Sequence, residues 1–371
     1  MTYYIGLMSG TSLDGVDAVL IQMDGPVWQG ALAHSYLPYP DDIKTAVLAL
    51  QQRGHDELHL AAMLSQRLSR IYAQTVLQLL AEQGLQAADI AAIGCHGQTI
   101  RHAPELGYSL QIADWSLLAE LTGINVVGDF RSRDLAAGGQ GAPLVPAFHA
   151  ALFAHPDETR VLANIGGISN ISVLRPDSPI LGFDTGPGNM LMDAWTQSHF
   201  QQAYDADSRI ASQGKVLPEL LQSLLNHPYF RMPAPKSTGR DLFSLSWLNT
   251  YLNSLEAPQD VLRTVEVPRY LLRTLLELTA VSLSTEIAGF APKAVYVCGG
   301  GVYNPLLLER LPALLPQSQW HSTTALNLDP QWVEAAAFAW LAAQRLLGLP
   351  SNAPAATGAK GPRVLGAIYQ A

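Results

Sequence analysis

The chain opens on a turn so dense in small and polar residues that it limits what the first fifty residues can form. Ser9-Gly10-Thr11-Ser12-Leu13-Asp14-Gly15 lies between two strand-like runs, Tyr3–Met8 and Val16–Met23. One reading is an ordinary hairpin, in which glycine supplies positive φ and Ser, Thr and Asp bond locally. The other is a phosphate cradle, a nest of backbone N–H groups and hydroxyls with few side chains in the way. A hairpin needs one or two such residues, whereas nearly every position from 9 to 15 is of this kind, which favours the cradle. The residues concerned run from Gly10 through Thr11, Ser12, Leu13, Asp14, Gly15 and Val16 to Asp17. Asp14 and Asp17 could reach a metal ion on the phosphates. No Gly-Lys-Ser/Thr follows and no helix opens behind the turn, so it is not a P-loop.

Length and composition allow this turn a large setting. A chain of 371 residues, 48% hydrophobic and 14% charged, is expected to fold as two domains with sizeable cores. With 22 basic residues against 31 acidic ones the net charge is −9, which leaves no electrostatic footprint for nucleic acid. Cys95 and Cys298 sit far apart in apolar contexts and read as buried reduced thiols. The start of the chain does not read as a signal peptide, and the longest apolar run, Ala335–Ala343, is too short to span a bilayer. The expectation is a soluble cytoplasmic protein with no membrane partner.

Three strands are predicted at Tyr3–Met8, Val16–Met23 and Val27–Tyr36, then a helix carrying Leu60, Leu64, Leu68, Ile71, Val76 and Leu79. A strand at Ala91–Cys95, a turn at His96–Arg101, a helix around Ile112–Leu121 and a strand at Asn125–Gly128 follow. The order then restarts: Arg160–Ile165, Ile168–Leu174 and Ile180–Phe183 read as strands, with a helix from about Asn189. Further helices are expected at Leu217–Leu225, Ser244–Asn253, Val267–Ala288, Pro305–Leu315 and Pro330–Leu347, the last capped by Asp329, and a strand at Lys293–Cys298. Each half carries a Gly-containing turn after its first strand, the second at Gly166-Gly167. This predicts a duplicated α/β protein with two lobes, residues 1–129 and 130–349, a tail from about 350 packing back on the first, and a ligand in the cleft between them.

Four further segments could carry chemistry. Phe183-Asp184-Thr185-Gly186-Pro187-Gly188-Asn189 reads as a strand ending in a carboxylate, then a Gly-rich turn opening a helix. Asp184 is either an Asx turn or helix cap, or the general base of a phosphoryl transfer, with the turn holding phosphate. Gly299-Gly300-Gly301 lets a flat ring or a phosphate approach the backbone, or is a plain strand–helix turn. Arg131, in Gly128–Asp134, and the loop Gly138–Pro143 could grip a carboxylate or form a surface cluster. His96, Gln98 and His102 flank a turn without zinc spacing, and Glu334 sits near a helix start, where the dipole suffices to explain it.

Taken together, Gly6–Asp17, Gly94–Thr99, Gly128–Arg131, Gly138–Pro146, Asn164–Asn170, Phe183–Asn189 and Cys298–Gly301 resemble, in order, the motifs of the 1,6-anhydro-N-acetylmuramic acid kinase family. The resemblance runs from residue 6 to the C-terminus. It implies a duplicated two-lobed actin-like ATPase (ribonuclease H-like) fold with ATP in the interlobe cleft. It implies a kinase that opens the 1,6-anhydro bridge of the amino sugar with water and phosphorylates O6, using ATP and Mg²⁺, in peptidoglycan recycling, and that forms a homodimer. On that reading Asp184 is the catalytic base. Gly10–Asp17, Asn164, Gly166, Gly167, Gly186, Gly188 and Gly299–Gly301 hold the nucleotide, with Asp14 and Asp17 toward Mg²⁺. His96, Gln98, Arg131, Gly139, Gln140 and Glu334 lie on the sugar side. Two rivals stay open: a kinase of the same fold that breaks no bond to C1, and a nucleotide-gated binding module without catalysis.

Overall fold

The computed structural model describes residues 1–10, 13–239, 242–254 and 266–371. They form two compact units, Met1–Leu152 with Trp332–Ala371, and Phe153–Gln331. The sequence reading divided the chain at 129/130 and 349/350. The first unit also takes residues 130–152 and a late helix, for a reason visible in its sheet.

That sheet is built on β1 (Thr2–Met8), β2 (Gly15–Asp24) and β3 (Val27–Pro38), an antiparallel meander whose buried residues are apolar or glycine apart from Ser35. β4 (Ile90–Cys95) then pairs parallel with β1. A separate hairpin, β5 (Gln98–Ala103) with β6 (Tyr108–Ile112), follows. β7 (Val126–Gly128) pairs parallel with β4, and the C-terminal strand Ala367–Tyr369 closes the edge against β7. The order is therefore C-terminal strand, β7, β4, β1, β2, β3. The helix Val333–Leu347 lies directly on β1 and β4. A Cβ on Gly6 would come within 1.8 Å of the Ala335 carbonyl oxygen, and one on Gly94 within 1.9 Å of that of Phe338. Glycines on the sheet meet an alanine-rich helix backbone to backbone, so residues 332–349 belong with the first unit.

The second unit repeats the plan. β8 (Arg160–Ile165), β9 (Ile168–Leu174) and β10 (Leu181–Pro187) form the meander; β11 (Ala294–Cys298) pairs parallel with β8, and β12 (Gln319–Ser322) parallel with β11. The order β10-β9-β8-β11-β12 matches β3-β2-β1-β4-β7 strand for strand, with the same senses. Each sheet has its own core; in the second, Leu271, Leu272, Leu275, Leu276 and Leu283 of the helix Val267–Ala288 fill it.

Several elements differ from the sequence reading. An additional helix, Asp41–Gln51, buries Ile43, Val47 and Leu50. The expected turn at 96–101 runs into β5, so Ile112 ends a strand; the helix begins at Trp115, where Asp114 caps it by accepting from the Leu117 N–H at 2.9 Å. Asp329 accepts from the Gln331 N–H at 2.9 Å, but the last long helix starts only at Val333. Cys95 and Cys298 are both buried, as expected. Among the described residues no helix is long and apolar enough to cross a membrane.

Candidate functional site

In the first unit the turn between β1 and β2 is braced from beneath. Thr11 and Ser12 lie outside the described residues. Leu13 is buried in a left-handed conformation (φ 62°), which reverses the chain, and the Asp14 carbonyl accepts from Tyr39 N–H at 2.9 Å. Tyr39 Oη donates to Ser9 Oγ at 2.7 Å, and Ser9 Oγ donates to Gln98 Oε1. Gln98 Nε2 reaches the Gly10 carbonyl at 3.4 Å. Gln98 is fully buried and both ends of its amide are used inside the protein. It supports the Ser9–Gly10 turn. Gly15 and Val16 open β2. Of the two acids, Asp14 is exposed, whereas Asp17 Oδ1 lies 2.8 Å from His34 Nε2, whose ring stacks on Trp332.

The other five sugar-side candidates lie in the same unit. Arg131 follows β7; its Nη2 donates to His96 Nε2 at 2.8 Å and its Nη1 to the Gly141 carbonyl at 2.6 Å. Burial, then the neighbouring guanidinium, hold His96 well below the usual histidine range, so its ring is neutral and Nε2 accepts. Burial also lowers Arg131, to about 10, while Glu334 and Asp134 oppose the shift. Glu334 is pushed up by burial and by the charge of Asp17, against the pull of Arg131. Arg131 thus stands among His96, Glu334 and the Gly139–Gly141 loop.

That loop hangs on a residue whose part the sequence did not disclose. Asp134 is fully buried and accepts from Gly141 N–H (2.8 Å), Asn352 Nδ2 (2.8 Å) and Thr357 Oγ1 (2.9 Å). Three donors offset the cost of burying a carboxylate. Gly139 N–H bonds back to the Asp134 carbonyl and Gln140 N–H to that of Thr357. The C-terminal tail therefore shapes the loop from more than two hundred positions away, a distance no local pattern could signal.

The second unit carries Asp184. It does not end its strand: β10 continues through Thr185, Gly186 and Pro187, with an irregularity in register between Asp184 and Gly186. Neither the helix-cap reading nor a strand-end position applies. Asp184 Oδ2 accepts from the Thr238 N–H at 2.9 Å, while Oδ1 has no hydrogen bond among the described residues. Burial raises its carboxyl to about 6, against that single N–H. Nearby, the N–H groups of Gly188 and Met190 donate to Gly167 O, and that of Asn189 to Gly166 O. Gly188 ties the hairpin turn to the helix Met190–Phe200, so its N–H is not available to phosphate. Gly299, at φ 79°, follows β11; a Cβ there would lie 2.3 Å from Asn164 Oδ1. Gly300 and Gly301 start a 3₁₀ turn, whose first N–H groups have no intrahelical acceptor. The structure thus brings Asn164, Gly166, Gly167, Gly188 and Gly299–Gly301 together around the ends of β8 and β11.

Two sheets that share the order of five strands, each a meander extended by parallel strands, define a duplicated actin-like ATPase fold. Within that class the chain belongs to the anhydro-N-acetylmuramic acid kinase family, whose sequence model matches residues 2–371. It is 59% identical to the anhydro-N-acetylmuramic acid kinase of Neisseria gonorrhoeae over 367 residues, covering 99% of this chain and 98% of that protein. With the protein of the same description from Nitrosomonas europaea it shares 52% identity over 374 residues, covering both chains completely.

Proposed function

We propose that the protein phosphorylates 1,6-anhydro-N-acetylmuramic acid with ATP while hydrolysing its anhydro bridge, and that Asp184 is the base. The observation that carries this reading is the state of Asp184: one oxygen fixed by Thr238 N–H, the other with no hydrogen bond among the described residues, and a carboxyl that burial raises to about 6. A general base works best when its pKa lies near the working pH. Asp184 takes a proton from water, and the water oxygen bonds to C1 of the sugar. As the C1–O6 bond breaks, its electron pair goes to O6, which attacks the γ-phosphorus and displaces ADP. The bridging oxygen is both leaving group and acceptor, so no separate acid is required on it, unlike the paired carboxylates of ordinary glycosidases.

The first unit supplies the Gly10–Asp17 turn for the phosphates and Arg131, neutral His96, the Gly139–Gly141 loop and Glu334 for the sugar. Arg131 keeps donors to spare after its bonds to His96 and Gly141, which suits a carboxylate. The second unit adds Asn164, Gly166-Gly167 and Gly299–Gly301 on the nucleotide side. No group of three His, Cys, Asp or Glu among the described residues could hold a metal by itself. A nucleotide-borne Mg²⁺ needs only one or two carboxylates besides phosphates and waters. Exposed Asp14 and the Asp17 oxygen away from His34 meet that requirement. When bound, the ion neutralises phosphate charge. The homodimer is part of the same reading and is checked by light scattering.

Turnover in ¹⁸O-labelled water tests the reading. Label is expected in the C1 hydroxyl of the product and none in the phosphate. Unlabelled C1 with phosphorylation intact would favour an ordinary kinase, and no ATP turnover with the anhydro sugar would exclude both.

A further inference from the structure

Three bonds fix Asp184, and all come from one irregular stretch. Its N–H donates to the Lys236 carbonyl at 2.9 Å, its carbonyl accepts from Tyr229 Oη at 2.7 Å, and Oδ2 accepts from Thr238 N–H at 2.9 Å. Tyr229 sits in a single 3₁₀ turn, Pro228–Arg231, and residues 232–238 have no helix or strand of their own. A loop without a ladder is positioned by whatever anchors its side chains. Here the anchor is Lys236. Its side chain is wholly buried; Nζ donates to Glu286 Oε1 at 2.6 Å and to the Tyr229 carbonyl at 3.2 Å, and stands 4.9 Å from the centre of the Tyr229 ring. Glu286 belongs to the helix Val267–Ala288, the main packing element of this core.

A buried ammonium is a costly way to pin a loop, since an apolar side chain of similar volume would often stabilise the fold as well or better. What the ion pair adds is a fixed position. We propose that Lys236 is a positioning residue for the catalytic carboxylate: clamped on Glu286, it holds Tyr229, Lys236 O and Thr238 N–H in the places from which they orient Asp184. The inference rests on the reading of Asp184 as base and gives it a supporting residue on the opposite side of the loop.

The clamp leaves a signature that general loss of stability does not. Thr238 N–H favours the ionised form of Asp184, against burial. Loosening the loop lengthens that bond, so the acid limb of the kcat profile moves to higher pH whichever end of the clamp is cut. A simple charge effect differs: Lys236→Met leaves Glu286 alone and moves the limb up, whereas Glu286→Gln leaves Lys236 alone and moves it down. Among the described residues Tyr229, Lys236 and Glu286 are the titratable groups of this network; β9 beside it brings Asn170, which does not titrate.

The experiment compares full-length Lys236→Met, Glu286→Gln and the double variant Lys236→Met/Glu286→Leu, which leaves no orphaned charge, with Asp184→Asn alongside. Expected are a fall in kcat of about 10²-fold, the cost of a misplaced group, with sugar KM little changed, and acid limbs displaced upward in both single variants. The double variant is expected to fold and to stay slow. Wild-type kcat and acid limb in folded Lys236→Met, or in the double variant should the single one not fold, overturn the inference, as do opposite displacements in the two single variants. Retained turnover in Asp184→Asn would instead sink the assignment of the base; a dead Asp184→Asn beside fully active Lys236 variants sinks only the clamp.

Discussion

The two sheets share one strand order and treat their carboxylates in opposite ways. Asp17, on the second strand of its meander, faces His34 on the third across 2.8 Å. Asp184, on the third strand of the other meander, receives one neutral amide N–H on one oxygen and, among the described residues, no hydrogen bond on the other, with its carboxyl raised to about 6 by burial. A paired carboxylate is already committed. One that is poorly solvated and half-partnered can accept a proton at neutral pH. Duplication of a fold therefore repeats where loops emerge, and the local donors decide which copy does chemistry.

The largest effect should come from making Asp184 resemble a committed residue. Asp184→Asn keeps the shape and removes the proton acceptor. Steady-state rates should fall by about 10²–10⁴-fold, the usual contribution of a general base, while calorimetry still shows sugar binding. A variant that turns over at a tenth of the wild-type rate or better would erase the contrast between the two carboxylates.

Next come the glycines, which do different work in the two units. A Cβ on Gly6 meets helix backbone at 1.8 and 2.6 Å, so the helix Val333–Leu347 must lift off its sheet. Gly6→Ala should cost about 3 kcal/mol or more, the upper range for overpacking. Gly299→Ala confronts positive φ, a side-chain oxygen that can turn away and the Ile165 carbonyl oxygen at 2.9 Å, a milder backbone clash than at Gly6, and should cost about 1–2 kcal/mol. It should also raise the KM for ATP. Denaturant midpoints compare the two; equal losses would mean that Gly6 is not a packing glycine.

Those glycines also mark what a sequence can disclose. Both meanders were legible because apolar runs of strand length are bounded by Gly, Asp and Ser, and the repeat of Gly10 by Gly166-Gly167 exposed the duplication. Asp184 was legible as a candidate, but its strand was cut short because Thr185-Gly186-Pro187 carries turn residues; tertiary pairing with Ser169 and Ile168 overrides that local preference. The support that Gln98 gives the turn was not legible, because a buried glutamine bonding Ser9 and Gly10 looks the same in sequence as one facing a ligand. Asp134, Lys236 and Thr238 had no signal: Asn352 and Thr357, Glu286, and Asp184, the partners that give them their parts, lie 50 to 223 positions away, and no periodicity encodes such bonds.

The same substitution at 184 should carry an opposite, smaller effect on stability. The folded chain holds the Asp184 proton more tightly than an ordinary carboxyl near 3.9 does. Between about pH 4 and 6 the folded state therefore binds more protons than the unfolded one, and stability falls as pH rises through that window. Asp184→Asn escapes the penalty. At pH 7 it should be more stable than wild type by on the order of 1–2 kcal/mol, after allowing for the solvent that reaches Asp184. The difference should vanish below about pH 4, where wild type is protonated in both states. Thermal melts at pH 4, 5.5 and 7 measure it; a gain independent of pH would show that burial of charge is not its source.

The smallest effect belongs to the paired carboxylate. His34→Ala removes a bond between side chains that are 21% and 36% exposed, together with the stack on Trp332, and should cost about 0.2–1 kcal/mol. Its KM for ATP should stay close to wild type, because the Asp17 charge survives. Asp17→Asn, which breaks the same pair from the other end, should cost a similar amount of stability yet raise the KM for ATP. If His34→Ala raised it as much, the imidazole rather than the carboxylate would be the group that meets the nucleotide.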